Sequence, residues 1–336
     1  MFGKLARCLA AIAWIGAAGG NASGQDKLRF VFVTHGAETD PFWATIKGGA
    51  ERAAADAGVE VVYRAPAEFD LEAMTALVSE AVAEKPAGLI VSIPNADALA
   101  GPIRAANDAR IPVISINSGF DVSASLGALL HVGQSEYESG RVAGERMREL
   151  GGRKALCINH ELGNVALDLR CKGFIDGFGG SVEVLPIEPD AEEVRATMGE
   201  MLAADPEIDV VLALSASVSG EPTVAAVQAM TSGRAVRIGS FDTTEAILAA
   251  VADRTAAFAI DQQPFLQGYL PVHYLTLLHR HGVAPVSNVS TGPKLVTAKE
   301  AARRLGRAPA LEATPGSPIP ENAGTDPALP VEPGGG

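Results

Sequence analysis

The chain has 336 residues, 47% hydrophobic and 20% charged, with a formal net charge of −13. That length exceeds one ordinary core and suits two lobes of about 100–150 residues each. Its acidity sets it against phosphate backbones and anionic lipid heads, so no nucleic-acid partner is expected.

The first residues read as a secretory leader. Lys4 and Arg7 precede the apolar run LAAIAWIGAAGG, and small residues follow at Asn21-Ala22-Ser23-Gly24. Charged, apolar, then small is the order of a signal peptide, with cleavage expected after Ala22 or Gly24. The apolar run is about 12 residues, short of a bilayer span. A lipoprotein anchor would need a cysteine after that run, whereas Cys8 precedes it. Loss of residues 1–24 leaves Trp43 as the only tryptophan and Cys157 and Cys171 as the only cysteines. Two cysteines in an exported chain point to one disulfide, with two buried free thiols as the other reading.

From residue 28 short apolar, β-rich runs alternate with helical patterns. The strands expected are LRFVFV, VEVVY, AGLIVSI and IPVISI, then ALCIN, SVEVLPI, DVVLAL, AVRIGS and AAFAI. Between the first two, PFWATIKGGAERAAADAG places Phe42, Ile46, Ala50, Ala53 and Ala57 on one helical face, with Gly58 as the stop. FDLEAMTALVSEAVAEK does the same with Leu71, Met74, Leu77, Val78 and Val82. Such alternation predicts an α/β fold of βαβ units, with parallel sheets covered on both faces. The series starts afresh near GALLHVGQSEYESG, which suggests two similar lobes. PFLQGYLPVHYLTLLHRHG reads as a long helix after the last of these strands. Beyond residue 308 the chain is rich in Pro, Gly and Ala, which cannot build a core, and a disordered tail is expected over 308–336.

In a doubly wound sheet the loops leaving the carboxyl ends of the strands form the ligand crevice. Here those loops are THGAETDPFW, SIPNAD, SINSGFD, NHELGN, SASVSGEP, GSFDTT and IDQQP. They supply carboxylates, amides and hydroxyls with few cations, a set that hydrogen-bonds a neutral, hydroxyl-rich ligand. Phe42 and Trp43 add aromatic faces for the C–H face of a sugar ring. A phosphate or nucleotide would instead want Lys, Arg or a glycine-rich cradle.

These residues resemble a known family, the type I periplasmic sugar-binding proteins of the ribose/galactose-binding kind, which serve ABC importers. The resemblance spans about residues 28–305. It rests on DPFW after the first strand, IPVISIN at the fourth, GSFDTT and AIDQQPFLQGY, with KGF at 172–174 as a weaker landmark. It implies two doubly wound lobes joined by a three-strand hinge: 26–128 plus 263–284, and 129–262 plus 285–307. The crossings implied lie near 119–130, 258–263 and 285–291, a hinge that permits closure without unfolding either lobe. Transferred by motif, the ligand contacts implied are Asp40, Phe42, Trp43, Asn117, Asp242 and Gln262. Many relatives carry an acid followed by arginine where this chain has Asn117-Ser118, so one strong sugar clamp is missing. Counting back from Phe174 places Asp168 where the family carries a ligand-gripping arginine, with Arg170 displaced nearby. Asn164, four residues before Asp168, shares its helix face, and Ser215 is a candidate for the polar residue after DVVLAL. His35 either lines the cleft or satisfies a strand-end carbonyl.

Each candidate also has a structural reading. Asp40 before Pro41 suits an N-cap, Asp242 can cap the helix beginning TTEAIL, and Phe42 and Trp43 can be core. No metal site is expected, because His273, His279 and His281 do not share one helix face. GxGxxG, P-loop, GxSxG and CxxC motifs are missing from the chain. Glu38 and Asp40 sit in one loop, unlike glycosidase acids that face each other across a bond. The expected function is therefore non-enzymatic: a monomeric, cofactor-free periplasmic receptor that takes a sugar or polyol between closing lobes and passes it to an ABC permease. The alternative is a sensor that presents the same closed form to a chemoreceptor or histidine kinase.

Overall fold

Every strand expected from the sequence forms, along with three short additional ones. The computed structural model describes residues 27–36, 39–231 and 233–306. The leader expected over 1–24, the tail expected over 308–336 and Glu38 lie outside the described residues. In chain order the first elements are β1 (Arg29–Val33), α1 (Pro41–Ala57), β2 (Glu60–Arg64), α2 (Leu71–Ala83), β3 (Gly88–Ser92), α3 (Ala96–Asp108), β4 (Val113–Asn117) and β5 (His131–Gly133). Then come α4 (Glu136–Glu149), β6 (Lys154–Asn159), α5 (Val165–Phe178), β7 (Ser181–Pro186), α6 (Ala191–Ala204) and β8 (Val210–Ala213). A π-helical turn (Ala216–Gly220) leads into α7 (Glu221–Gln228), β9 (Arg237–Phe241), α8 (Glu245–Ala252) and β10 (Phe258–Asp261). The chain continues through α9 (Pro264–His281), β11 (Val289–Ser290), β12 (Lys294–Val296) and α10 (Ala298–Arg304).

Two six-stranded sheets result, in the orders β11-β5-β4-β3-β1-β2 and β12-β10-β9-β8-β6-β7. All pairs are parallel except β10 with β12. In each sheet the order reverses beside the first strand of the lobe, β1 or β6, and the carboxyl ends there open a crevice. The two crevices face each other.

Sheet membership moves two of the expected boundaries. His131–Gly133 pairs with β4, so the first crossing follows Gly133 and does not lie within 119–130. The segment at 119–130 belongs to the first lobe, where Leu126 packs in the core of Val31, Leu89 and Val113. Val289–Ser290 pairs with β5, so the third crossing lies between Ser290 and Lys294. The sequence hides both because β5 and β11 are only three and two residues long. After β10, Val272 and Leu275 of α9 join the core of Phe30 and Ile46.

Glycines bring helix pairs into close contact. A Cβ on Gly173 would lie 1.9 Å from the Tyr137 carbonyl oxygen, and one on Gly140 2.0 Å from that of Arg170. Thus α4 and α5 touch backbone to backbone. Gly268 does the same for α9 against α1, its would-be Cβ 1.9 Å from the Ile46 carbonyl oxygen. Cys157 of β6 and Cys171 of α5 form a disulfide, with S–S 2.01 Å and Cα–Cα 5.8 Å. It pins α5, one residue past Arg170, to the sheet.

Candidate ligand-binding cleft

Helix α1 starts where the sequence stops allowing anything else. Asp40 is the N-cap, its Oδ1 accepting from the Phe42 amide at 2.8 Å, and Pro41 opens the first turn. The buried stripe of α1 is Trp43, Ile46, Gly49, Ala50 and Ala53. The expected stripe began one residue earlier, at Phe42. Trp43 is 6% exposed and packs on Phe32 and Ile46, while its ring also borders the cleft. Phe42 stands perpendicular to it at 5.2 Å and is only partly buried, which leaves ring surface to the cleft.

Between the lobes lies a cleft with about 420 Å³ of space. Its first-lobe wall carries His35, Asp40, Phe42, Trp43, Phe69 and Asn117. The facing wall carries His160, Glu161, Asn164, Arg170, Ser215 and Asp242, with Gln262 from the hinge. Nine of the ten residues nominated from sequence therefore surround one space. Asp168 does not. It is exposed and accepts a hydrogen bond from Asn159 Nδ2 at 2.9 Å. The apolar face of α5 runs through Leu167, Cys171, Phe174 and Phe178, and Arg170 sits on that face. Two residues earlier is roughly 200° around a helix, so Asp168 points away. Asn164 is not on that face either: it is the N-cap, accepting from the Ala166 amide at 3.0 Å.

Arg170 is the residue the motif count missed, and it organises the second-lobe wall. Its Nε donates to Glu136 Oε2 at 2.6 Å, Nη1 to the Leu214 carbonyl at 3.1 Å and Nη2 to Gln262 Oε1 at 3.1 Å. The guanidinium lies 4.4 Å over the Phe241 ring. Gln262 is the hub: Nε2 donates to Asp242 Oδ1 at 2.6 Å, and Oε1 also accepts from Asn117 Nδ2 at 3.4 Å. One hinge amide thus joins both walls. Asn117 ends β4 and Asp242 directly follows β9, at φ of 56° and 69°, the left-handed region that Asn and Asp tolerate better than most residues. The signal for Arg170 was present in LDLRCKGF: one cation on an otherwise apolar helix face.

The lobes are closed on each other. Ser217 Oγ donates to Asp40 Oδ2 at 2.9 Å, Asn164 Nδ2 donates to His35 Nε2 at 3.3 Å, and the Val165 amide donates to the Pro94 carbonyl at 3.0 Å. His35 Nδ1 is held by Ser92 Oγ at 2.8 Å, so this ring lines the cleft and bridges β1, β3 and α5. Burial, then the charge of Arg170, pushes His35 and His160 down to about 3, leaving both neutral. Burial pushes the Asp242 carboxyl up to about 7, against the pull of Arg170 and the Gln262 hydrogen bond. Glu161 is raised too, mainly by burial, with Asp40 adding to the push.

A family model described as a periplasmic binding protein domain matches residues 30–280. The chain belongs to this family. Its members here are type I sugar-binding proteins of ABC importers, periplasmic and non-enzymatic, and the fold agrees with theirs. A carbohydrate transporter from Acidothermus cellulolyticus 11B, solved in complex with myo-inositol, is 33% identical, covers 82% of this chain and 96% of its own, and superposes with a TM-score of 0.78. The xylose/arabinose-binding protein XylF of Sulfolobus acidocaldarius is 26% identical over 287 residues, 80% of this chain and 71% of the relative. The ribose import binding protein RbsB of Salmonella typhimurium is 27% identical over 272 residues, 78% of this chain and 87% of the relative. Among the described residues no helix is long and apolar enough to cross a membrane.

Proposed function

We propose that the protein, after loss of its leader, captures one sugar or polyol of monosaccharide size in the periplasm and delivers it as a closed monomer to an ABC permease. The observation that carries this reading is the Gln262 hub, which holds Arg170 and Asp242 opposite the Phe42 ring, with Asn117 at the same point. Charged and amide groups there take ring hydroxyls, and the aromatic wall takes the C–H face. Asp40, Asn164 and Ser215 complete the polar lining. A relative solved with myo-inositol and relatives named for ribose, xylose and arabinose support a polyhydroxylated ligand of this size.

The test is a titration of mature, ligand-stripped protein with pentoses, hexoses and cyclitols, following Trp43 emission and melting temperature together. A saturable response in both for one class is the expected result. Silence in both across every class would sink the sugar reading. Uptake by membrane vesicles bearing the cognate permease then separates delivery from signalling.

A further inference from the structure

The charge of the cleft is lopsided in a way that a plain sugar site does not require. Among its described lining residues Arg170 is the only lysine or arginine. That cation is already matched by Glu136, 2.6 Å away, with both side chains at 5% exposure or less. Both cleft histidines are neutral. Against this stand Asp40 and Glu68 on one wall and Glu161 and Asp242 on the other; burial raises both Glu161 and Asp242, Arg170 pulls both back, and Asp40 is close enough to add to the rise in each. Closing two lobes that carry like charges on their facing walls costs energy unless the ligand offsets it.

The hydrogen-bond inventory leans the same way. Glu161 gives Oε2 to Asn164 at 2.7 Å, and Asp40 uses its oxygens on the Phe42 amide and Ser217. His160, beside Glu161, lines the cleft at 9% exposure, and its Nδ1 is buried with no partner. A neutral imidazole keeps one acceptor nitrogen, so the His160 ring can take a hydrogen bond from a ligand donor in this corner. The rings of Phe42, Trp43 and Phe69 line the same cleft, and an aromatic face accepts a cation. Among the described residues no group of three or more His, Cys, Asp or Glu side chains converges as a metal site.

Resting on the sugar reading above, we infer that the preferred ligand carries a protonated amine, an amino sugar or aminocyclitol whose ammonium sits between Asp40 and Glu161 beside His160. Arg170, Asp242 and Gln262 hold the hydroxylated side of the ring. An ammonium offsets the repulsion that opposes closure and supplies three donors to the carboxylates of Asp40 and Glu161. A uronate would add a further charge of the wrong sign.

The experiment uses matched sets on one ring: D-glucose, 2-amino-2-deoxy-D-glucose and D-glucuronate, and myo-inositol with its monoamino-deoxy derivative. Affinities are read by calorimetry at pH 7.5 with the mature protein and with Glu161→Gln and Glu161→Asp. In the best-bound set the amino member binds at least about tenfold tighter than its neutral parent, and the uronate does not bind. Glu161→Gln keeps an acceptor for Asn164, so the fold and the contact across the lobes survive while the ratio falls to about one. Glu161→Asp keeps part of the ratio. A neutral parent that binds as tightly as its amine overturns the inference and leaves the sugar reading standing. So does a ratio unchanged in Glu161→Gln. Failure of every member of every set overturns both.

Discussion

Replacing Arg170 with methionine should strand a buried carboxylate. Glu136 is 2% exposed, its Oε2 takes both Arg170 and Gln134, and its Oε1 has no partner. Methionine fills much of the arginine stem volume, so the packing loss is small and the electrostatic loss dominates. Removing one partner of a buried pair costs about 3–5 kcal/mol, since the other charge stays desolvated. At a urea slope of about 2 kcal/mol per molar, the unfolding midpoint falls by roughly 1.5–2.5 M. The assay reads the lobes apart. Trp43 emission reports the first lobe and far-UV circular dichroism reports both. Arg170 belongs to the second lobe, so the dichroism curve of ligand-free Arg170→Met gains an early transition that Trp43 does not follow. The double variant Glu136→Gln with Arg170→Met removes both charges and regains at least about 2 kcal/mol over the single. A single variant that loses under about 1 kcal/mol, or a double variant no more stable than the single, would refute the claim that this pair is a mutually dependent buried unit.

Opening the bridge with Cys157→Ala and Cys171→Ala releases a loop whose ends are 14 residues apart, which lowers stability by about 3 kcal/mol in urea melts; because α5 then loses its tie to the sheet next to Arg170, ligand affinity falls as well, measured by the same titration. Gly173→Ala drives a methyl into the Tyr137 carbonyl 1.9 Å away and costs roughly 2–3 kcal/mol, whereas Gly199→Ala on α6, with nothing within 4 Å, gains roughly 0.5–1 kcal/mol; the two melting temperatures should move in opposite directions. Acid should weaken the fold. Burial holds His35 and His160 near 3 and His131 near 4. Each therefore binds fewer protons folded than unfolded below about pH 6.5, and its stabilisation drains away as pH falls. Asp242, raised to about 7, and the raised Glu161 act oppositely over the same window, since each binds more protons folded than unfolded. Three groups outweigh two, so melting temperature drops between pH 6.5 and 5 with a net slope on the order of 1 kcal/mol per pH unit. A flat or rising curve would contradict this.

What local chemistry alone decides was legible without coordinates. Short continuous apolar runs and period-3.6 apolar patterns, with Asp-Pro and Gly at helix ends, placed the main strands and the first helices. Strand–helix alternation then implied parallel sheets and put the ligand at strand carboxyl ends, which is why residues as distant as His35 and Gln262 could be nominated for one space. Two exported cysteines were enough to suggest a bridge. Other features depend on contacts between distant parts of the chain. Strands β5 and β11 are too short to carry a pattern; only pairing to β4 makes them strands, and that pairing moves the hinge. Which of Phe42 and Trp43 enters the core depends on how α1 is rotated against α9, where Gly268 lets the backbones touch. Asp168 and Arg170 differ by two places in sequence but face opposite ways, because the disulfide and the glycine contacts with α4 set the roll of α5. The sequence determined which side chains the cleft could draw on. Tertiary packing decided which of them face it and how their charges balance, because burial and neighbouring charge are properties of the assembled walls.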